Sequence, residues 1–298
     1  MRNTITIMNA KGGVGKSTLV LTLAETLSAH HDKRVLVIDS DAHASVSSML
    51  MPNDWLQTVQ PRGATIVDYL IGVVLKNAAT ASWSAFVSRG VSDVDDARTI
   101  DLLPGGGHLT LFEREISKGN HEARLRYAIR AFLAEVRSAY DLVLIDSAPG
   151  LSVVTECWLR EADFCLSPAK PDYASTQGLQ FLSQFRQRDA DMGFAESLGV
   201  IITMKDQNTT DDEHFHRWLR HNARNRCFEQ VIPRSTALQT AAHYCPRPRS
   251  YWAKYPGHTG KALRQLALEL LHRHATAQRV HASGLTGGVS HSLPAKQA

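Results

Sequence analysis

Four cysteines in 298 residues, none of them in a C-x-x-C pair, leave little from which to build a zinc site or a disulfide framework. Cys157, Cys165, Cys227 and Cys245 are read as reduced thiols, which suits a cytoplasmic protein. No apolar run reaches the roughly 18 residues of a membrane-spanning helix, so no membrane span is expected. The chain opens directly into a β-branched run, which leaves no room for a signal peptide. What is present is an ordinary globular composition, 43% hydrophobic and 21% charged, in a chain long enough to bury one large core.

The net charge of +4 conceals an asymmetry. From Gly199 onward 14 Lys/Arg stand against 6 Asp/Glu, whereas the part before it carries 19 against 23. A basic final third on a slightly acidic body suits a non-specific DNA-binding face, although solvated helix faces would give the same composition.

The most informative stretch is Ala10-Lys11-Gly12-Gly13-Val14-Gly15-Lys16-Ser17-Thr18. It lies between the β-branched run Thr4–Met8 and the apolar run Leu19–Leu27, the strand–turn–helix setting of a phosphate-binding loop. Glycines let the backbone N–H groups curl around an anion, and the following helix N-terminus adds partial positive charge. Lys16 is placed to reach the β- and γ-phosphates of ATP, and the Ser17 hydroxyl to sit on Mg²⁺. The usual first glycine of the motif is replaced by Ala10, and a second lysine, Lys11, follows it.

Two further runs end in carboxylates. Val35-Leu36-Val37-Ile38 precedes Asp39-Ser40-Asp41, and Leu142-Val143-Leu144-Ile145 precedes Asp146. Each reads as a buried parallel strand whose tip emerges at the carboxyl edge of an α/β sheet, where ligands bind. Asp146 there can bind Mg²⁺ opposite Ser17. Strands alternating with helices, with three ligand elements at strand tips, predict one doubly wound, mainly parallel sheet flanked by helices.

The segment Lys-Gly-Gly-Val-Gly-Lys-Ser-Thr resembles the deviant Walker A motif of the ParA/MinD ATPases, and the chain is most similar to the short ParA form without an N-terminal helix-turn-helix domain. The resemblance covers about residues 3–274, with 275–298 expected as a disordered tail. It implies an ATP-dependent homodimer in which Lys11 reaches the phosphates bound by the partner subunit. Gly12, Gly13, Val14, Gly15, Lys16, Ser17 and Thr18 would bind nucleotide, Asp39 would help hold the hydrated Mg²⁺, and Asp41 would orient the attacking water. By the same resemblance adenine lies between Met204 and Pro233-Arg234. It further implies non-specific DNA binding, a ParB-like centromere-binding partner that stimulates hydrolysis, and a nucleoid-associated role in partitioning a plasmid, integrated element or chromosome region.

The chain departs from that pattern in two places. Where relatives continue Pro-Gln-Gly-Asn after the second aspartate, it has Ala42-His43-Ala44-Ser45. His43 is open to two readings, a proton acceptor or a surface loop residue. After Asp146, Ala148 stands in a position usually held by proline.

Candidate DNA contacts are nominated by clustering alone. His214, Arg217, His221 and Arg224 recur at three- and four-residue steps, with Arg220 beside them, so the charge is expected on one helical face. Arg247, Arg249 and Lys254 are interleaved with Tyr244, Tyr251, Trp252 and Tyr255; that mixture suits a phosphate backbone or simple packing. Thr65–Ile71 has helical spacing, and Lys76–Arg98 reads as a helix followed by a loop. The last helix is expected over Gly260–His274. A MinD- or flagellar-placement ATPase would carry a basic amphipathic tail for membrane, which is missing. An iron–sulfur reductase would need placed cluster cysteines, and a metabolic ATP-dependent enzyme of this fold would lack Lys11.

Overall fold

The computed structural model describes residues 2–76, 82–206 and 210–283. Seven strands form one sheet: β1 (Thr4–Ile7), β2 (Val35–Ser40), β3 (Ile100–Leu103), β4 (Leu142–Ser147), β5 (Phe164–Ala169), β6 (Glu196–Lys205) and β7 (Ile232–Pro233). Their order is β3-β2-β4-β1-β5-β6-β7, and every pairing is parallel. The expected doubly wound sheet is therefore present, and it is parallel throughout.

The helices are α1 (Lys16–His31), α2 (Ser45–Leu50), α3 (Trp55–Val59), α4 (Ile66–Leu70), α5 (Leu109–Lys118) and α6 (Glu122–Ala139). They continue as α7 (Val153–Glu161), α8 (Tyr173–Arg188), α9 (Thr210–His221), α10 (Thr236–Ala241), α11 (Tyr251–Lys254) and α12 (Gly257–Ala282). Successive strand residues point to opposite faces, so each strand feeds two cores. Val35 and Val37 join Leu19, Leu23, Tyr251 and Leu263 on one side of the sheet. Leu36 and Ile38 join Ile129, Phe132 and Trp158 on the other. Burial on both faces explains why the strands are unbroken apolar runs.

The connection from β1 goes outward past β4 to β2, and the chain later returns across β1 to β5. This reversal opens a crevice at the carboxyl end of β1, where the phosphate loop lies.

Three expectations change here. The stretch Lys76–Arg98 holds no α-helix among the described residues. Trp83–Phe86 is a single 3₁₀ turn, and Ser88 and Val94 make isolated bridges to Leu102 and Arg249; residues 77–81 lie outside the description. The last helix runs on to Ala282, so the expected boundary at 274 falls inside it. Ala277 is buried and Gln278 bonds the Arg2 carbonyl at 2.6 Å, contacts that make those turns part of the domain. Only residues 284–298 of the expected tail lie outside the description. Among the described residues no helix is long and apolar enough to cross a membrane.

Candidate nucleotide site

The phosphate loop is held from three sides. Asn9, fully buried at the end of β1, donates to the Pro168 carbonyl at 2.8 Å and accepts from the Lys11 N–H at 2.8 Å. Thr203, at the end of β6, donates to the Val14 carbonyl at 2.8 Å. Ser147, at the tip of β4, donates to the Ile7 carbonyl at 2.6 Å. Gly15 adopts φ +86°, which turns the chain into α1 and aims its first N–H groups into the crevice.

Lys16 begins α1 and is buried, its ammonium 3.4 Å from the Lys11 carbonyl. Burial lowers its pKa, and Asp146 and Asp41 oppose that shift. A buried cation with one long backbone contact is suited to an anion arriving at the loop. Lys11 is exposed.

Asp39 and Asp146 sit side by side in the β2–β4 register and are both fully buried. Both carboxylate oxygens of Asp146 are sealed from solvent and lack a well-formed hydrogen bond. Burial and the neighbouring Asp39 charge push its pKa well up; Ser17 and Lys16 pull the other way. Two adjacent buried carboxylates beside a serine at a helix N-terminus fit Mg²⁺, which takes one or two carboxylates plus phosphate oxygens and water. Asp39 has less to give than Asp146. Its Oδ2 accepts from the Ser47 N–H at 2.9 Å and the Ser47 hydroxyl at 2.6 Å, and its Oδ1 from the Asp41 N–H at 3.2 Å. Its pKa is pushed up to about 6, chiefly by burial.

Asp41 lies one step further out, at the mouth of the crevice, with its side chain 12% exposed. The Pro104-Gly105 turn backs this switch: Gly105 approaches so closely that a Cβ there would stand 2.9 Å from both Asp39 Cγ and the Asp41 carbonyl oxygen. A cavity of ≈ 650 Å³ continues from the loop between Gly15, Thr18, Met204, Pro233 and Arg234. The residues expected around adenine thus line one space adjoining the phosphate loop.

These observations meet in sequence comparison. The AAA domain family model matches residues 2–192. The chain belongs to this family, as a ParA-type P-loop ATPase. The "Chromosome-partitioning ATPase Soj" of Treponema pallidum is 28% identical over 278 residues, covering 92% of this chain and 98% of that protein. Among solved structures, pNOB8 ParA bound to nonspecific DNA superposes with a TM-score of 0.67 at 21% identity, covering 93% of this chain and 99% of that one. Cobyrinic acid a,c-diamide synthase of Mycobacterium smegmatis, with ADP and magnesium, superposes equally well at 0.67 and 22%, covering 95% and 97%. At these identities the two structures speak to fold alone.

The basic candidates separate into two groups. Lys254 is not a surface residue. Its ammonium is fully buried against Glu25 Oε1, at 2.7 Å, and Asp93 Oδ1, and Arg249 bonds Asp93 Oδ2 at 2.9 Å. Two carboxylates brought inside by α1 and the 88–98 segment require two cations, and these supply them. Arg220 is largely covered and bonds Glu229. Arg224 does not share a helical face with Arg217, because α9 ends at His221 and Asn222 leaves helical geometry. Arg217, Arg224 and Arg247 remain exposed.

Asn9, Ser47 and Thr203, with Gly178 of α8, whose Cα packs against Asn9 Oδ1 and Lys11, lie outside the motifs. Asn9 offered one signal, an amide side chain directly before the loop; the others are single residues in unremarkable contexts.

Proposed function

We propose that this ATPase dimerises on binding ATP, binds DNA non-specifically in that state, and releases it when a partner protein stimulates hydrolysis. In this way it would partition a plasmid, integrated element or chromosome region from the nucleoid. The observation that carries the proposal is Lys11, exposed at the rim of a phosphate loop whose own lysine, Lys16, already faces the crevice. A second lysine there has no phosphate of its own to serve and fits the nucleotide of a facing subunit. The partition role of Soj and the DNA bound by pNOB8 ParA support the remainder.

In the proposed site the loop N–H groups and Lys16 bind the β- and γ-phosphates, and adenine enters the Met204–Pro233–Arg234 cavity. Ser17 and Asp146, aided by Asp39, would hold Mg²⁺, which when bound neutralises charge developing between the β- and γ-phosphates. Asp41 holds a water in line with the γ-phosphate.

Sedimentation with and without ATP·Mg²⁺ tests the reading. Wild-type protein should dimerise with ATP and shift DNA of any sequence. Lys11→Ala should bind ATP as a monomer and leave DNA free. Normal ATP-dependent dimers of Lys11→Ala would overturn the sandwich. A protein that hydrolyses ATP without ever binding DNA would point to a metabolic enzyme on the same fold.

A further inference from the structure

Asp41 does not stand alone at the mouth of the crevice. The chain turns tightly after it, the Ala44 N–H returning to the Asp41 carbonyl at 2.9 Å, with Ala44 itself at φ +49°. That turn folds His43 back over the aspartate. The His43 N–H and the imidazole Nδ1 each lie 2.9 Å from the same oxygen, Asp41 Oδ1. Asp41 Oδ2 has no protein partner among the described residues. The Asp41 backbone is fixed as well, its N–H on Asp39 Oδ1 and its carbonyl against Gly105. Lys16, Glu113, Asp39 and Asp146 are the other charged groups whose fields reach Asp41.

We infer that His43 is the positioning residue of the switch: by donating twice to Asp41 Oδ1 it fixes the carboxylate plane and leaves Oδ2 alone to hold the attacking water. The bond requires the proton on Nδ1, so the tautomer is set by Asp41. Nε2 is left facing solvent on a side chain 82% exposed, which gives the imidazole little packing role. A carboxylate with one saturated and one free oxygen cannot swap them by rotating about its Cβ–Cγ bond without breaking both contacts. This restricts the water to one position, the kind of pre-orientation that hydrolysis rewards. The inference rests on the ATPase reading above, in which Asp41 serves the water.

Two measurements test it. In single-turnover hydrolysis, His43→Ala should lower the rate roughly tenfold with ATP affinity unchanged. His43→Asn, whose amide nitrogen stands where Nδ1 does, should recover most of it. A wild-type rate in His43→Ala, or no recovery in His43→Asn, would overturn the positioning role. Separately, the ring-nitrogen chemical shifts of nucleotide-free protein should show His43 with its proton on Nδ1, moving to Nε2 in Asp41→Ala. An unchanged tautomer in that variant would overturn the pair whatever the kinetics. If wild-type protein hydrolyses no ATP at all, the ATPase reading fails, and the tautomer measurement still decides whether the pair exists.

Discussion

Gly178 lies in the second turn of α8, and a Cβ there would overlap Asn9 Oδ1 and stand 3.1 Å from the Lys11 nitrogen. Replacing it with alanine sets two effects against each other. Within a helix the change from glycine to alanine gains about 1 kcal/mol. Overpacking a tight site costs about 1–3 kcal/mol. If Asn9 instead swings aside, its two bonds at 2.8 Å break, and each buried group left unsatisfied costs about 1–3 kcal/mol. The net expectation is a loss of about 0–2 kcal/mol if the site stays overpacked and of about 1–5 kcal/mol if Asn9 swings aside. Because Asn9 fixes the Lys11 N–H, ATP affinity should fall with it. Urea titration and nucleotide binding on Gly178→Ala read both quantities. Gln184→Ala, on the exposed side of the same helix, should be close to neutral. The double-mutant cycle is sharper: in an Asn9→Ala background the overlap with Asn9 is gone and only the tight approach to Lys11 remains, so Gly178→Ala should cost clearly less than in wild type. A stabilised single variant with normal ATP affinity would refute the reasoning.

Lys16→Ala should abolish ATP binding by equilibrium dialysis, since Lys16 is the buried cation of the loop. Asp39 supplies a pH signature. Its carboxyl is raised from 3.8 to about 6, so the native state holds a proton that the unfolded state has lost. Without Mg²⁺ its contribution to stability should therefore fall between about pH 4 and pH 7, by on the order of 3 kcal/mol, and be lost above. Denaturation of wild type against Asp39→Asn across that range reads the contribution of the Asp39–Asp146 pair. Lys254→Ala should cost about 3–5 kcal/mol by leaving the buried Glu25 carboxylate without a cation and Asp93 with Arg249 alone, whereas Arg247→Ala should leave unfolding unchanged. Reversing charge at Arg217, Arg224 and Arg247 together should weaken DNA binding and flatten its salt dependence by roughly 0.9 per lost phosphate contact, with ATP affinity unchanged; an unaltered slope in a filter-binding titration would move the DNA face elsewhere.

The loop and the two carboxylate-tipped strands were legible because each is written in a few adjacent residues. Their sheet edge follows from apolar runs that only a doubly covered strand requires. The basic clusters misled for the opposite reason. Whether Lys254 meets water or Glu25 depends on a partner 229 positions away, which local spacing does not register. Arg224 was misplaced by one non-helical residue, Asn222. The tight turn that brings His43 onto Asp41 has an alanine at positive φ, a residue whose sequence gives no hint of that conformation. Asn9 and Thr203 act through one or two bonds to backbone groups, and so few bonds leave no pattern.

The buried cluster beneath α1 also sets an order of events during synthesis. Glu25 meets Ser92 within the first hundred residues, yet its partners Lys254 and Tyr255 arrive more than 200 residues after it. Until they emerge, α1 cannot seal against the sheet without burying a lone carboxylate, and Asp93 waits for the same lysine. The charge that accompanies burial of the nucleotide helix is thereby neutralised only once α11 has been made.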